Sequence, residues 1–151
     1  MEAGLIKAMM NGDLPGVPVM HFGVVDVRDV VDLHLRAMLH PDAAGRRFIA
    51  GKGSSSLFGV ANILREHVPA FANRLPAREL TVEEVREAAK TEPALREAAL
   101  LEGRIPVIGN DRARSVLGWE PRDVTDTIVA TADALIELDA VTVPGNDSPR
   151  S

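Results

Sequence analysis

Apolar residues recur at helical spacing from the first turn of the chain. Leu5, Ile6, Met9 and Met10 form one side of a segment from Glu2 to Met10, which Asn11-Gly12-Asp13 ends. Pro15-Gly16-Val17-Pro18 is a turn-rich connector. The period then changes. Phe22 to Val27 is β-branched and bounded by turn chemistry, which predicts a strand. Asp29 suits the N-cap of a helix over 29–39, because its carboxylate can accept from a free backbone N–H of the first turn. Val30, Leu33 and Ala37 make one stripe of that helix, with Val31, Leu35 and Met38 beside it. Arg46 to Ala50 predicts a second strand. Gly51 to Ser56 predicts a polar loop whose serines cap the next helix, which carries Leu57, Val60, Ala61 and Leu64 and ends near His67. Strand, helix, strand, helix over 22–67 is the pattern of a βαβ unit, in which 22–27 and 46–50 pair in parallel through a right-handed crossover.

After Pro69 the texture changes. Arg74-Leu75-Pro76 reads as a short extended piece. Thr81 with Glu84 three residues on is a capping-box pattern. Pro93 interrupts, and Leu95 to Leu101 continues as a helical piece. Asn110 or Asp111 caps a short helix that Gly118 closes after Leu117. Trp119 reads as a core anchor, fixing that short helix against the last one. Asp123 or Thr125 opens the last helix, with Ile128, Ala132, Leu135 and Ile136 inward. The predicted fold is α/β: a small, mostly helical domain with one short parallel βαβ pair. A single domain is expected over 1–138, with a flexible tail over 139–151.

Composition narrows the function classes. The net charge of −5 and pI of about 5.3 leave no basic footprint for nucleic acid or an anionic membrane surface. No apolar run approaches the roughly 18 residues of a membrane span. The first eleven residues lack a signal-peptide layout. Cysteine is absent, which excludes disulfides and thiolate metal sites and is compatible with the cytoplasm, where the chain is expected to reside. Tyrosine is also absent, and lysine occurs only at 7, 52 and 90. Any mechanism that needs a phenolic acid or base is therefore excluded for this chain.

Four groups of residues were weighed as chemistry. Gly51-Lys52-Gly53-Ser54-Ser55-Ser56 matches the first two glycines of a dinucleotide-binding loop. Ser56 stands at the third, however, and no acidic residue follows about 20 positions on. Asp26-Val27-Arg28-Asp29 puts Asp26 and Arg28 on one strand face, as a polar ligand site or a structural ion pair. His21, His34, His40 and His67 have no metal-ligand spacing, so no metal is expected. The three serines lack the elbow of a serine hydrolase, which leaves a small hydrolase using Ser54, Ser55 or Ser56 as a remote reading.

Two ordered stretches resemble a known family. Phe22 to Met38 resembles the "hVhDhA.aH..Am" segment of extended short-chain dehydrogenase/reductases, the NAD(P)-dependent epimerase/dehydratase group. Gly45 to Ala50 follows like their "G..Y.." strand. Asn110 to Pro121, ending Leu-Gly-Trp-Glu-Pro, resembles their "s..kar..LGw.P" signature, and Val124 to Leu138 takes the place of their closing helix. Within the group the chain looks most like the dihydroflavonol-reductase-like members. The resemblance implies a C-terminal, substrate-binding part, with the Rossmann half that holds NAD or NADP and the Tyr-x-x-x-Lys pair lying outside it. No catalytic residue carries over, and no cofactor is expected to bind this chain alone. The segment His21, Phe22, Gly23 and Val24, with the loop after Arg74, is implied as the substrate side. Phe22 and Gly23 stand where nucleotide-sugar epimerases carry Arg-Asp, which favours a smaller, more apolar carbonyl compound. The expected partners are a small-molecule substrate in a full-length parent and a second copy of the chain through an exposed apolar face. The alternative is a non-enzymatic interaction or self-association module that keeps this fold.

Overall fold

A computed structural model describes residues 3–101 and 104–145. The elements in chain order are α1 (Ala3–Asn11), β1 (Gly16–Val17), β2 (His21–Val24), α2 (Val27–Leu39), β3 (Gly53–Ser56), α3 (Leu57–His67), β4 (Arg78–Glu79), α4 (Val82–Ala88), α5 (Ala94–Leu100), α6 (Asp111–Leu117) and α7 (Val124–Glu137). The class is α/β and mostly helical with a short parallel pair, as the pattern predicts. The described residues divide into two compact units, 21–55 with 105–127, and 3–20 with 56–101, 104 and 128–145.

The parallel pair is not the one expected. It joins β1 to β4, with Gly16 opposite Arg78 and Val17 opposite Glu79. Residues 46–50 form no strand; β2 pairs instead with β3, inside the stretch expected to be a loop. Lys52 N–H donates to the Val24 carbonyl at 2.9 Å and Leu57 N–H to the Met20 carbonyl at 3.0 Å. Later residues thus meet earlier ones, and β2 and β3 run antiparallel. The extended piece expected at Arg74-Leu75-Pro76 lies four residues too early, since β4 begins at Arg78.

In the first unit, α2 starts two residues before the predicted cap. Asp26 is the N-cap; its Oδ1 accepts from Arg28 N–H at 2.9 Å, in extended backbone with φ −76° and ψ 137°. The strand is therefore cut short at Val24, and Asp26 and Arg28 do not share a strand face. Arg28 bends back to the same carboxylate, with its Nε at 2.8 Å and Nη2 at 2.5 Å. That guanidinium holds the Asp26 carboxyl below its usual range. His40 ends α2, held extended by Pro41, and its N–H still reaches the Arg36 carbonyl.

Asp29 lies in the first helical turn and is 5% exposed. Its Oδ2 accepts from Arg122 N–H at 2.7 Å, and its Oδ1 pairs with the Arg122 guanidinium. Trp119, fully buried, donates its indole N–H to the Asp29 carbonyl at 2.9 Å. Leu33, Ala43, Ala113, Leu117 and Trp119 form one apolar cluster, with Phe48 and Ala50 packed against it. Trp119 is the core anchor foreseen, but the helix it locks to α6 is α2. Gly118 closes α6 in the left-handed region, φ 60°, as expected of a glycine there.

In the second unit, α1 buries Ile6, Met9 and Met10, and α3 buries Leu57, Val60, Ala61 and Leu64. Each such side chain contributes about 1.5–3 kcal/mol of burial. Ser56 caps α3 through a bond from Gly59 N–H at 2.8 Å. The capping box at Thr81 and Glu84 forms, with Glu84 N–H to Thr81 Oγ1 at 3.2 Å and Thr81 N–H to Glu84 Oε2 at 2.8 Å. Arg78 clamps the same carboxylate at 2.8 and 2.9 Å. Ile128 and Ala132 of α7 are buried, while Leu135 and Ile136 are half-buried. Within the expected tail, Val141 is buried and the Thr142 carbonyl accepts from Arg74 at 2.8 Å. The end of that tail, 146–151, lies outside the described residues.

Two predictions follow from this packing. Trp119→Phe keeps most of the apolar volume but removes the indole bond to the Asp29 carbonyl. It should cost about 1–3 kcal/mol in urea unfolding, whereas Trp119→Ala should cost about 3–5. The Glu84 carboxyl, held down to about 2 chiefly by Arg78, contributes helix stability that is present above its usual range and lost as pH falls toward about 2. Carbon-detected NMR titration should find that low midpoint, and Arg78→Ala should move it upward.

Candidate functional site

The segment singled out as the substrate side is β2 with its flanks. His21, Phe22 and Gly23 are half-buried and Val24 is sealed. Pairing with β3 fixes the strand backbone, so the outward side chains are presented on rigid structure. What approaches closely at Gly23 is Ile108. A Cβ built on Gly23 would overlap Ile108 Cδ1, and one on Gly51 would overlap Ile108 Cγ2. Two glycines from β2 and the stretch before β3 thus make a notch filled by one isoleucine. Asn110 locks the same place by donating from Nδ2 to the Gly51 carbonyl at 2.8 Å. No sequence motif announced Ile108; the glycines at 23 and 51 were the available signal.

Gly51-Lys52-Gly53 is occupied by structural bonds. Lys52 N–H belongs to the β2 pairing, and its Nζ lies 3.0 Å from Asp123 Oδ1. Gly53 and the three serines are strand residues, and Ser56 is a helix cap. His34 Nδ1 bonds the Val30 carbonyl at 2.7 Å, and His40 Nδ1 accepts from Asp42 N–H at 3.2 Å, so both rings serve their own backbone. Among the described residues, no group of three or more His, Asp or Glu side chains could hold a metal ion. Nor is any described helix long and apolar enough to cross a membrane. The loop after Arg74 belongs to the second unit, where Leu75 and Pro76 are buried.

The first unit also carries a cavity of about 300 Å³ that sequence reasoning missed, lined by Arg47, Ile49, Gly109, Asp111, Arg112 and Ala113. It lies where 46–50, which forms neither helix nor strand, runs beside the start of α6, with Arg112 Nη1 donating to the Arg47 carbonyl at 3.3 Å.

If Ile108 fills the notch as described, Gly23→Ala should destabilise the chain by about 1–3 kcal/mol through overpacking. Ile108→Ala in the same chain should remove most of that penalty. A double-mutant cycle in urea reads the coupling, and additive costs would sink the notch.

No family model matches the chain. Among curated proteins it is 29% identical to ketoreductase azaE of Aspergillus niger over 123 residues, covering 81% of this chain and 31% of that protein. It is 26% identical over 138 residues to an oxidoreductase of Saccharomyces cerevisiae, covering 91% and 35%. The chain thus spans about a third of the length of the curated relatives it matches. Among solved structures, gox2253 aligns with a TM-score of 0.73 at 18% identity, covering 93% of this chain and 44% of that one. Yeast methylglyoxal/isovaleraldehyde reductase Gre2, crystallised with NADPH, aligns at 0.66 and 23% identity, covering 91% and 36%. The terminal R domain of the myxalamid PKS-NRPS pathway aligns at 0.62 and 13% identity, covering 95% and 41%. The chain has the fold of a part of the extended short-chain dehydrogenase/reductases.

Proposed function

We propose that the chain is the substrate-binding portion of an NAD(P)-dependent reductase of the epimerase/dehydratase group that acts on a small carbonyl or hydroxyl compound. The observation that carries this reading is the pairing of a reductase fold with a chain that holds no tyrosine. The proton donor of carbonyl reduction must then come from outside these residues. The stretch that resembles a dinucleotide loop is spent on a strand, an ion pair and a helix cap, so NAD or NADP is held elsewhere in a full-length parent. His21, Phe22, Gly23 and Val24 form the substrate side, with Phe22 as its apolar wall. The size class follows from that wall and from the relatives named as keto- and aldehyde reductases. A second reading, a self-association module, is favoured by one specific observation: the outward face of α2 is apolar and exposed.

The test uses the purified chain with NADPH, NADH and small aldehydes such as isovaleraldehyde. No change in absorbance of the reduced nicotinamide is expected, and no saturable dinucleotide binding up to about 1 mM. Saturable binding that Gly51→Ala and Gly53→Ala abolish would overturn the assignment. In a ¹⁵N-labelled chain the aldehyde should shift the amides of residues 21–24; shifts confined to other residues would refute the pocket.

A further inference from the structure

The notch at Gly23 and Gly51 holds one side chain, and the stretch that carries it is loosely tied. A Cβ on Gly23 would overlap Ile108 Cδ1; its chain neighbours aside, nothing but Ile108 lies within 4 Å of that position. The three atoms nearest a Cβ on Gly51 also belong to Ile108. Ile105 to Gly109 form neither helix nor strand and make no hydrogen bond to any described residue. Ile105 is 61% and Val107 96% exposed. The fastening lies at the end of this strap, where Asn110 Nδ2 donates to the Gly51 carbonyl at 2.8 Å. The core residues of the same unit are held otherwise. Leu33 and Leu117 sit on helices, and Trp119 N–H bonds the Ala113 carbonyl. A side chain borne on backbone without such bonds is the one that local opening removes first.

We infer that the notch is the alkyl subsite of the substrate strand and that Ile108 is its stand-in: the strap swings away, and a short branched alkyl group of the substrate takes the place of the isoleucine side chain. The present occupant selects the ligand. The space holds a sec-butyl group, so it admits an isobutyl or sec-butyl chain of the same volume. Glycine at 23 and 51 is what leaves that volume open, since any larger residue at either place would fill it. The polar end of the ligand has a partner nearby. His21, two residues before Gly23, lies on the same face of β2, and its ring makes no hydrogen bond to any described residue. It is available to donate to a carbonyl or hydroxyl oxygen. The class is thus a short, branched aliphatic aldehyde, ketone or alcohol. The inference rests on the reading of residues 21–24 as the substrate side and gives that side a specificity-determining residue.

NMR of the purified chain, with labelled isoleucine methyls and amides, tests it. Isovaleraldehyde, which carries an isobutyl group, is titrated to about 20 mM, a range suited to the affinities of ligands this small. The Gly23 and Gly51 amides and the Ile108 Cδ1 methyl should shift with one midpoint, the methyl toward the position of a solvent-exposed isoleucine. Asn110→Ala unfastens the strap and should tighten binding about 3- to 10-fold. Ile108→Ala should tighten it at least about tenfold, because nothing then has to leave. Val107→Ala, on the strap but outside the notch, should leave it unchanged. Acetaldehyde, which lacks the branched chain, should bind at least about tenfold more weakly. Should Ile108→Ala unfold, Ile108→Val replaces it with a tightening of about twofold, and the wild-type methyl shift needs no variant. A packing role alone predicts that these variants weaken binding or leave it as it was, and either result overturns the inference. So does an Ile108 methyl that stays in place while amides of 21–24 shift, an outcome that leaves the substrate reading standing. Saturable dinucleotide binding, which overturns the substrate-portion reading, does not depend on Ile108 and is measured separately.

Discussion

One carboxylate organises the first unit. Asp29 sits in the opening turn of α2, where the helix dipole favours negative charge, and it is almost fully buried. A buried carboxylate is tolerated only when it is paired and hydrogen-bonded. Arg122 supplies both conditions from 93 residues away, through its backbone N–H and its guanidinium. The same residue's carbonyl takes the Trp119 indole N–H. Two distant stretches are thus held by side chain and main chain at a single position. Loss of the guanidinium would leave a charge in the core, which costs far more than loss of a surface pair. Arg36 extends the clasp, reaching the Leu117 and Gly118 carbonyls at 3.1 and 2.9 Å, and so satisfies groups at the end of α6 that the helix itself leaves open.

The helices were legible in the sequence because their signals are local. The apolar period of α1 and α3, the capping box at Thr81 and the left-handed Gly118 each lie within a few residues of the structure they specify. The strands were not, because pairing is decided between segments far apart. Residues 46–50 do alternate, Phe48 and Ala50 inward and Ile49 outward, which is what made them read as a strand. Alternation reports burial on one side, and a strand also needs a ladder partner. Gly53–Ser56 has no hydrophobic signal at all, yet it lies where Lys52 and Leu57 bond to the flanks of β2. The true parallel pair is two residues a side, too short for any periodicity. At Asp26 and Asp29 two local rules competed. Either residue can cap a helix, and what decided was Arg122, whose demand for Asp29 is invisible from the neighbourhood of residue 29.

The substrate segment is named by resemblance and not by chemistry. The close neighbour of Gly23 is Ile108, a residue inside a stretch with no pattern of its own. The physical content of the glycine was right: something must come within reach of its Cα that a side chain would block. Which group does so is a tertiary fact. The same holds at Gly51, so a pair of glycines 28 positions apart in sequence turns out to serve one isoleucine.

These observations divide the surface of α2 from its core in a way that bears on function. A helix needs one buried stripe to be held in a fold, and α2 has it in Leu33 with Asp29 at its head. A second stripe adds exposed apolar area without adding stability to the isolated chain, and it raises the tendency to associate wrongly. Val31, Leu35 and Met38 would be replaceable by Glu, Lys or Gln, which are better helix formers than valine, at no cost to α2 itself. The chain keeps apolar residues there, while its nearby charges are used inside the unit: Asp26 caps the helix and pairs with Arg28, and Arg36 joins Asp32 to the end of α6. The strand β2 runs through Val25 directly into the Asp26 cap of this helix, so the two elements share one fixed stretch of backbone.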